Sequence, residues 1–167
     1  ILPKDRIEIK TKKENVDYRK LIAAGSCFAE GEEVIDYGFV ERWILGLEEK
    51  YGVEVMQVGY DRYNAISTVQ KLEANSMECV EVKQHSSVLH PPTKLLREAI
   101  LKKEFAYDEN RLLEINFQNA RCTEDTNLNK YVNKKRSAGK VDMVVSTIIA
   151  VYLMQQAMLD NSPYTNK

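Results

Sequence analysis

Apolar positions along the chain follow two rhythms, and their alternation predicts the order of elements. Val53 to Tyr60 (V-E-V-M-Q-V-G-Y) is apolar and β-branched, as in a central strand, and Met77 to Val82 reads as a second strand. Between them, Tyr63 to Asn75 has helical spacing. Upstream, Asp17 to Ala24 predicts a helix ending at Gly25, followed by a short strand at Ser26 to Ala29. Asp36 opens a helix through Phe39, Val40, Trp43, Ile44 and Leu47 that stops near Gly52, and its Gly46 predicts close packing against a neighbour. Downstream, Pro91 and Pro92 punctuate a loop and start a helix from Thr93 to about Lys103, with a short strand at Phe105 to Tyr107. Asn110 to Asn119 reads as helix and Ala120 to Asn133 as a polar hairpin turning near Thr126 to Leu128. The final element, Val141 to Leu159, is a helix that begins apolar on nearly every side.

Strand and helix thus alternate from residue 26 to residue 107, which predicts an α/β layered fold with a mixed, largely parallel sheet flanked by helices. The N-terminal edge of that sheet looks incomplete. The opening Ile-Leu-Pro, in place of a methionine, predicts a fragment of a longer protein, with one domain over residues 1–160 and a flexible tail over 161–167.

Composition narrows the class. A chain of 167 residues with 44% hydrophobic and 29% charged positions can bury a single core. The formal net charge of −1 argues against a general nucleic-acid coat, so contact with nucleic acid must rest on a local cluster. One exists: Thr126 to Val141 holds Lys130, Lys134, Lys135, Arg136 and Lys140 and no acid, interleaved with Asn127, Asn129, Tyr131, Asn133 and Ser137. Such a stretch is either a solvated loop or a phosphate-binding surface. Cys27, Cys79 and Cys122 form neither a disulfide framework nor a zinc motif, which fits a reducing, cytoplasmic setting. The longest apolar run, Met143 to Met154, is short for a membrane span and reads as a core helix.

Two aspartates carry the candidate chemistry. Asp61 follows the central strand at its carboxyl end, the edge where open α/β sheets place ligands; the competing reading is a cap for the next helix, with Asn64 nearby. Asp142 stands in the first turn of the apolar helix, where the helix dipole favours an acid, and Val141, Met143, Val144 and Val145 are expected to press it against a dry core. His85 and His90 read as loop residues, Asp36 as a helix cap, Glu32 and Glu33 as a solvated turn, and Trp43 as a packing residue. No phosphate-binding glycine motif is present, so these residues are not expected to hydrolyse ATP.

Tyr-Asp-Arg-Tyr-Asn-Ala (Tyr60 to Ala65), Pro-Pro-Thr-Lys (Pro91 to Lys94) and Lys-Arg-Ser-Ala-Gly-Lys-Val-Asp (Lys135 to Asp142) occur in one order. With the opening Leu-Pro-Lys-Asp, the Asp17-Tyr18-Arg19 helix and Asp36, the chain resembles, over almost its whole length, the C-terminal nuclease domain of the large terminase subunit of tailed double-stranded DNA phages. The resemblance implies a ribonuclease H-like fold whose acids hold divalent metal, Mg²⁺ with Mn²⁺ as substitute, to cut concatemeric double-stranded DNA. It matches Asp61 to the acid after the central strand and Asp142 to the acid on the C-terminal helix, and sets Lys130, Lys134, Lys135, Arg136 and Lys140 near DNA. It also implies an upstream ATPase motor, a small terminase subunit and a portal as partners, action in the host cytoplasm, a monomeric isolated domain and no membrane. Two departures stand out: Arg62 replaces a residue that is often proline, and the family's first catalytic aspartate lies on an opening strand upstream of the Leu-Pro segment, so that strand is expected to be missing here. The alternative reading is a catalytically incomplete nuclease-like module that binds DNA or docks to a packaging partner.

Overall fold

The computed structural model describes residues 1–63 and 65–160; Asn64 and the tail 161–167, including the segment expected to be flexible, lie outside the described residues. A 3-10 turn (Lys4–Arg6) leads into α1 (Ile7–Glu14), and α2 (Tyr18–Ala23) follows. Asp17 caps α2, its Oδ1 accepting the Lys20 N–H at 3.0 Å, and Gly25 ends it at φ 73°. The strand expected at Ser26 to Ala29 reduces to one parallel bridge between Leu2 and Ala29. Only these few residues pair there, so a ladder never extends.

The helix expected from Asp36 to Gly52 is two helices, α3 (Tyr37–Leu45) and α4 (Leu47–Tyr51). Gly46 is their junction, at φ −88° and ψ 1°, and the nearest atom to an added Cβ is the carbonyl oxygen of Arg42, at 3.2 Å on its own helix. It does not admit a neighbouring element, contrary to the sequence expectation. Asp36 pairs with Arg42 at 3.2 Å. Glu41 is buried where α3 meets α5 (Ile66–Ala74), and it accepts hydrogen bonds from Thr68 Oγ1 at 3.2 Å and Lys71 Nζ at 3.0 Å. A carboxylate in that position is tolerable because both oxygens are engaged.

The parallel sheet consists of β1 (Val58–Tyr60) and β2 (Cys79–Glu81), with α5 as the crossover and Gly59 opposite Val80. The strand expected from Val53 is therefore shorter: Val53 and Met56 are exposed, and among the described residues no strand pairs with their segment. Gly59 is where β1 meets the last helix. A Cβ there would stand 2.4 Å from Ile149 Cγ2 and 3.0 Å from Leu153 Cδ1, so only glycine admits this approach.

The prolines do not open the next helix. α6 (Ser86–Leu101) begins five residues before Pro91, with His85 as its cap, and carries both prolines in its second turn. Each lacks an N–H for the carbonyl four residues back, a loss of about 3 kcal/mol in an isolated helix. Burial of Pro92 and lateral ties offset it: Ser86 donates to Asp125, and His90 Nδ1 accepts the Lys130 N–H at 2.7 Å. His90 is thus a helix residue rather than a loop residue. No strand forms at Phe105 to Tyr107; the Phe105 ring instead packs 5.7 Å from Phe117 of α7 (Arg111–Asn119).

The hairpin is as predicted, β3 (Cys122–Glu124) antiparallel to β4 (Lys130–Val132). Asp125 organises its turn. It accepts from the Ser86 hydroxyl, the Asn129 side chain and the backbone N–H groups of Asn129 and Asn127, and these bonds, led by Ser86, hold its carboxyl far below the usual carboxylate range.

The last helix, α8 (Asp142–Asp160), is long and apolar enough to cross a membrane by length and composition, but its inner face is the core of this fold. Val144, Val145, Ile148, Ile149 and Leu153 pack with Leu89 and Leu96 of α6 and with Val82, and α8 also contacts α7 and β1. Each such burial contributes about 1.5–3 kcal/mol against the entropy of ordering the chain. A second cluster, Leu2, Tyr18, Leu21 and Cys27, anchors the N-terminal segment. The expected mixed α/β class is present; among the described residues its strands form one parallel pair and one hairpin.

Candidate active site

Asp61 stands immediately beyond Tyr60, the last residue of β1, in an exposed turn. Its Oδ1 accepts the Tyr63 N–H at 2.9 Å, which fixes the carboxylate locally and leaves Oδ2 without a protein partner among the described residues. It does not cap α5, whose cap position is Ala65. Instead it lines a depression of about 530 Å³ with Gln84, Tyr131, Asn133, Lys134 and Lys135, floored by Leu89, Val145 and Ile148. Polar groups from three separate stretches converge there because β1 and β2 pair beside α8 while β4 packs on α6, which itself packs on α8.

Asp142 is the first residue of α8, at the positive end of the helix dipole. The expectation that it presses against a dry core is not met. Its side chain is 66% exposed, because Val141 takes the buried place before it at 2% and Asp142 turns to the surface. Asn116 locates this helix start: Asn116 is buried, its Nδ2 donates to the Leu112 carbonyl at 2.9 Å and its Oδ1 accepts the Met143 N–H at 3.2 Å. Sequence reasoning missed Asn116, since a polar residue within an amphipathic helix gives no sign of a distant partner.

Lys134 is common to the surroundings of both acids, although Asp142 itself does not line the Asp61 depression. Its ammonium lies 3.4 Å from Asp142 Oδ1, and the same residue lines the Asp61 depression. The pair is exposed on both sides, so it adds at most about 1 kcal/mol of stability and is easily exchanged. The loop that presents Lys134 is built rather than loose. Asn133 Oδ1 accepts the N–H groups of Lys135 at 3.0 Å and Arg136 at 3.2 Å, as a helix cap does, while Ser137 Oγ donates to the Asn133 carbonyl at 2.8 Å. At the far end Asn119 lies under Gly139, where a Cβ would come within 2.6 Å of its Nδ2, and donates to the Lys140 carbonyl at 3.2 Å.

The five predicted cations divide. Lys134 and Lys135 line the Asp61 depression, and Lys140 lines a neighbouring groove that Lys134 shares. Arg136 is exposed and lines neither, while Lys130 is taken up by Glu124 at 2.7 Å across the hairpin.

The oxygen donors of Asp61, Asp142 and Gln84 suit a hard divalent cation in kind. They do not complete a set in number, since no group of three or more His, Cys, Asp or Glu able to hold a metal occurs among the described residues.

A parallel pair that ends just before Asp61, packed on a long core helix that opens at Asp142, is of the mixed, ribonuclease H-like α/β class. Residues 1–158 match the model of the terminase large subunit endonuclease domain, and the chain belongs to that family. It is similar to the HK97 bacteriophage large terminase, whose crystal structure superposes with a TM-score of 0.81 at 20% identity over 90% of this chain. The chain spans 32% of that protein. No curated protein matches.

Proposed function

We propose that this chain is a metal-dependent endonuclease domain, extending over residues 1–160, that cuts concatemeric double-stranded DNA during phage packaging in the host cytoplasm. The observation that carries the proposal is Lys134, an exposed cation that contacts Asp142 and lines the depression that contains Asp61. In this reading Asp61 and Asp142 hold Mg²⁺, or Mn²⁺ in its place. A pair of such ions, when bound, supplies a nucleophile from water and neutralises charge on the leaving oxygen. The chain's own residues do the rest. Asp61 is pinned by Tyr63, Asp142 is aimed from the helix start that Asn116 fixes, and Lys134 is placed to exchange its carboxylate partner for a phosphate oxygen. Lys135 and Arg136, on a loop set by Asn133, hold the backbone without reading bases. An ATPase motor, a small subunit and a portal are the partners this role requires.

One observation favours a second reading, a nuclease-like module that binds DNA or a packaging partner without cutting: the acids among the described residues are too few for two ions. Single substitutions D61N and D142N in the intact protein separate the two. Loss of plasmid cleavage by at least about 100-fold, with duplex binding retained, supports the nuclease. Cleavage near the unaltered rate in either variant refutes the assignment, and an unaltered protein that binds duplex yet never cuts in Mg²⁺ or Mn²⁺ establishes the second reading.

A further inference from the structure

Lys134 stands in the wall of two depressions: the one containing Asp61, and a wider groove of about 850 Å³ between α1, α7 and the loop before α8. Over the whole chain acids and bases nearly cancel, 25 against 24. The groove does not share that balance. Its lining includes six cations, Arg6, Lys10, Lys13, Arg111, Lys134 and Lys140, and one acid, Glu14. That acid is already engaged, by the Tyr18 hydroxyl and by Lys10 at 3.6 Å. Arg111 and Lys134 also have partners, Glu114 at 2.7 Å and Asp142 at 3.4 Å. Arg6, Lys13 and Lys140 have no ion pair among the described residues, so the excess of positive charge is theirs.

Cations on a convex surface separate into water and need no ligand. Gathered round a concavity they repel one another, and the low-dielectric walls focus their field into the groove. Asn119 and Ser137 add polar groups to the same lining, beside Leu112 and Ile115. An extended polyanion meets that pattern, and continuity through Lys134 with the Asp61 depression requires one whose charges repeat over both. We propose that this groove holds the phosphate backbone of double-stranded DNA on its way to or from the Asp61 and Asp142 locality, with Arg6 and Lys13 of the N-terminal segment contacting successive phosphates. This rests on the nuclease reading and extends the DNA surface beyond the basic loop, to the Lys-rich opening segment that the sequence reading did not assign to DNA.

The test is the salt dependence of duplex binding by the intact protein, followed by fluorescence anisotropy of a labelled linear duplex across a KCl series. Each phosphate contact contributes about −0.9 to the slope of log affinity against log salt. The R6Q/K13Q variant is expected to make that slope shallower by about two. The control K12Q/K102Q removes the same charge, with Lys12 on the same helix but outside the groove lining, and is expected to keep the slope. Circular dichroism melts confirm that both variants fold. A slope for R6Q/K13Q equal to that of the control overturns the groove assignment, and if D61N still abolishes cleavage the nuclease reading survives it. An unaltered protein with no salt-dependent duplex affinity overturns both.

Discussion

The contact between Gly59 and α8 joins the strand that ends before Asp61 to the helix that opens at Asp142, and G59A tests whether it positions the two acids. The new methyl group would stand 2.4 Å from Ile149 Cγ2 and 3.0 Å from Leu153 Cδ1, where relaxed carbon contacts need about 3.5–4.0 Å. Ile149 and Leu153 are buried, at 9% and 8% exposure, so neither can swing into solvent. Either α8 retreats from β1 by about 1 Å or Ile149 leaves its rotamer, an overpacking cost of about 1–3 kcal/mol. Restricting the unfolded chain returns about 0.4–1 kcal/mol, because the φ of Gly59 is not in the left-handed range. With the approach as short as 2.4 Å, the cost falls in the upper half of that range, about 2–3 kcal/mol; the net loss is then about 1–2.6 kcal/mol, which for a domain of this size lowers Tm by about 2–10 °C. Asp61 lies two residues beyond Gly59, and Asp142 heads the helix that would move, so the shift also changes their separation. A displacement of that order is expected to reduce Mg²⁺-dependent cleavage by at least about tenfold. Thermal melts and plasmid cleavage read the two effects, and I149A, which removes Cγ2, should absorb much of the G59A cost in the double variant. A G59A chain that melts within about 1 °C of the unaltered one, or a G59A cost that is the same in the I149A background, would refute the argument that this approach positions the site.

Two further outcomes follow from the loop and the hairpin. N133A removes the acceptor of the Lys135 and Arg136 N–H groups, a loss comparable to a helix cap at about 0.5–2 kcal/mol; duplex Kd measured by anisotropy should rise several-fold, and unchanged affinity would show that the loop need not be ordered before it binds. Asp125 has a carboxyl held far below its unfolded value, so its contribution to stability is complete above about pH 4 and is lost as pH falls toward the folded value. D125N should therefore lower Tm at neutral pH and flatten its decline between about pH 5 and pH 3; an acid limb as steep as that of the unaltered chain would assign the slope to other groups.

Local chemistry made several parts of this protein legible from sequence. Helices begin at Asp17 and Asn110 as expected, where the structure adds that each side chain is the cap; Gly25 stops one, the polar run from Ala120 folds back on itself, and the apolar run after Val141 becomes the core helix. Asp61 could be placed at a strand end and Asp142 at a helix start because each signal lies within a few neighbouring residues. The prolines misled because their penalty is local while its compensation is not: Pro92 is buried and the helix is tied to the hairpin through Asp125 and Lys130. The segment from Val53 misled in the opposite way, since strand propensity has no effect until another strand supplies hydrogen-bond partners. Only the tertiary structure brought Lys134 to Asp142, placed Asn116 beneath the start of α8, required glycine at 59 and gathered Arg6 and Lys13 beside Lys140. Those relations join residues far apart in the chain. They arise from how elements pack on the core, which composition and periodicity constrain in kind but not in position.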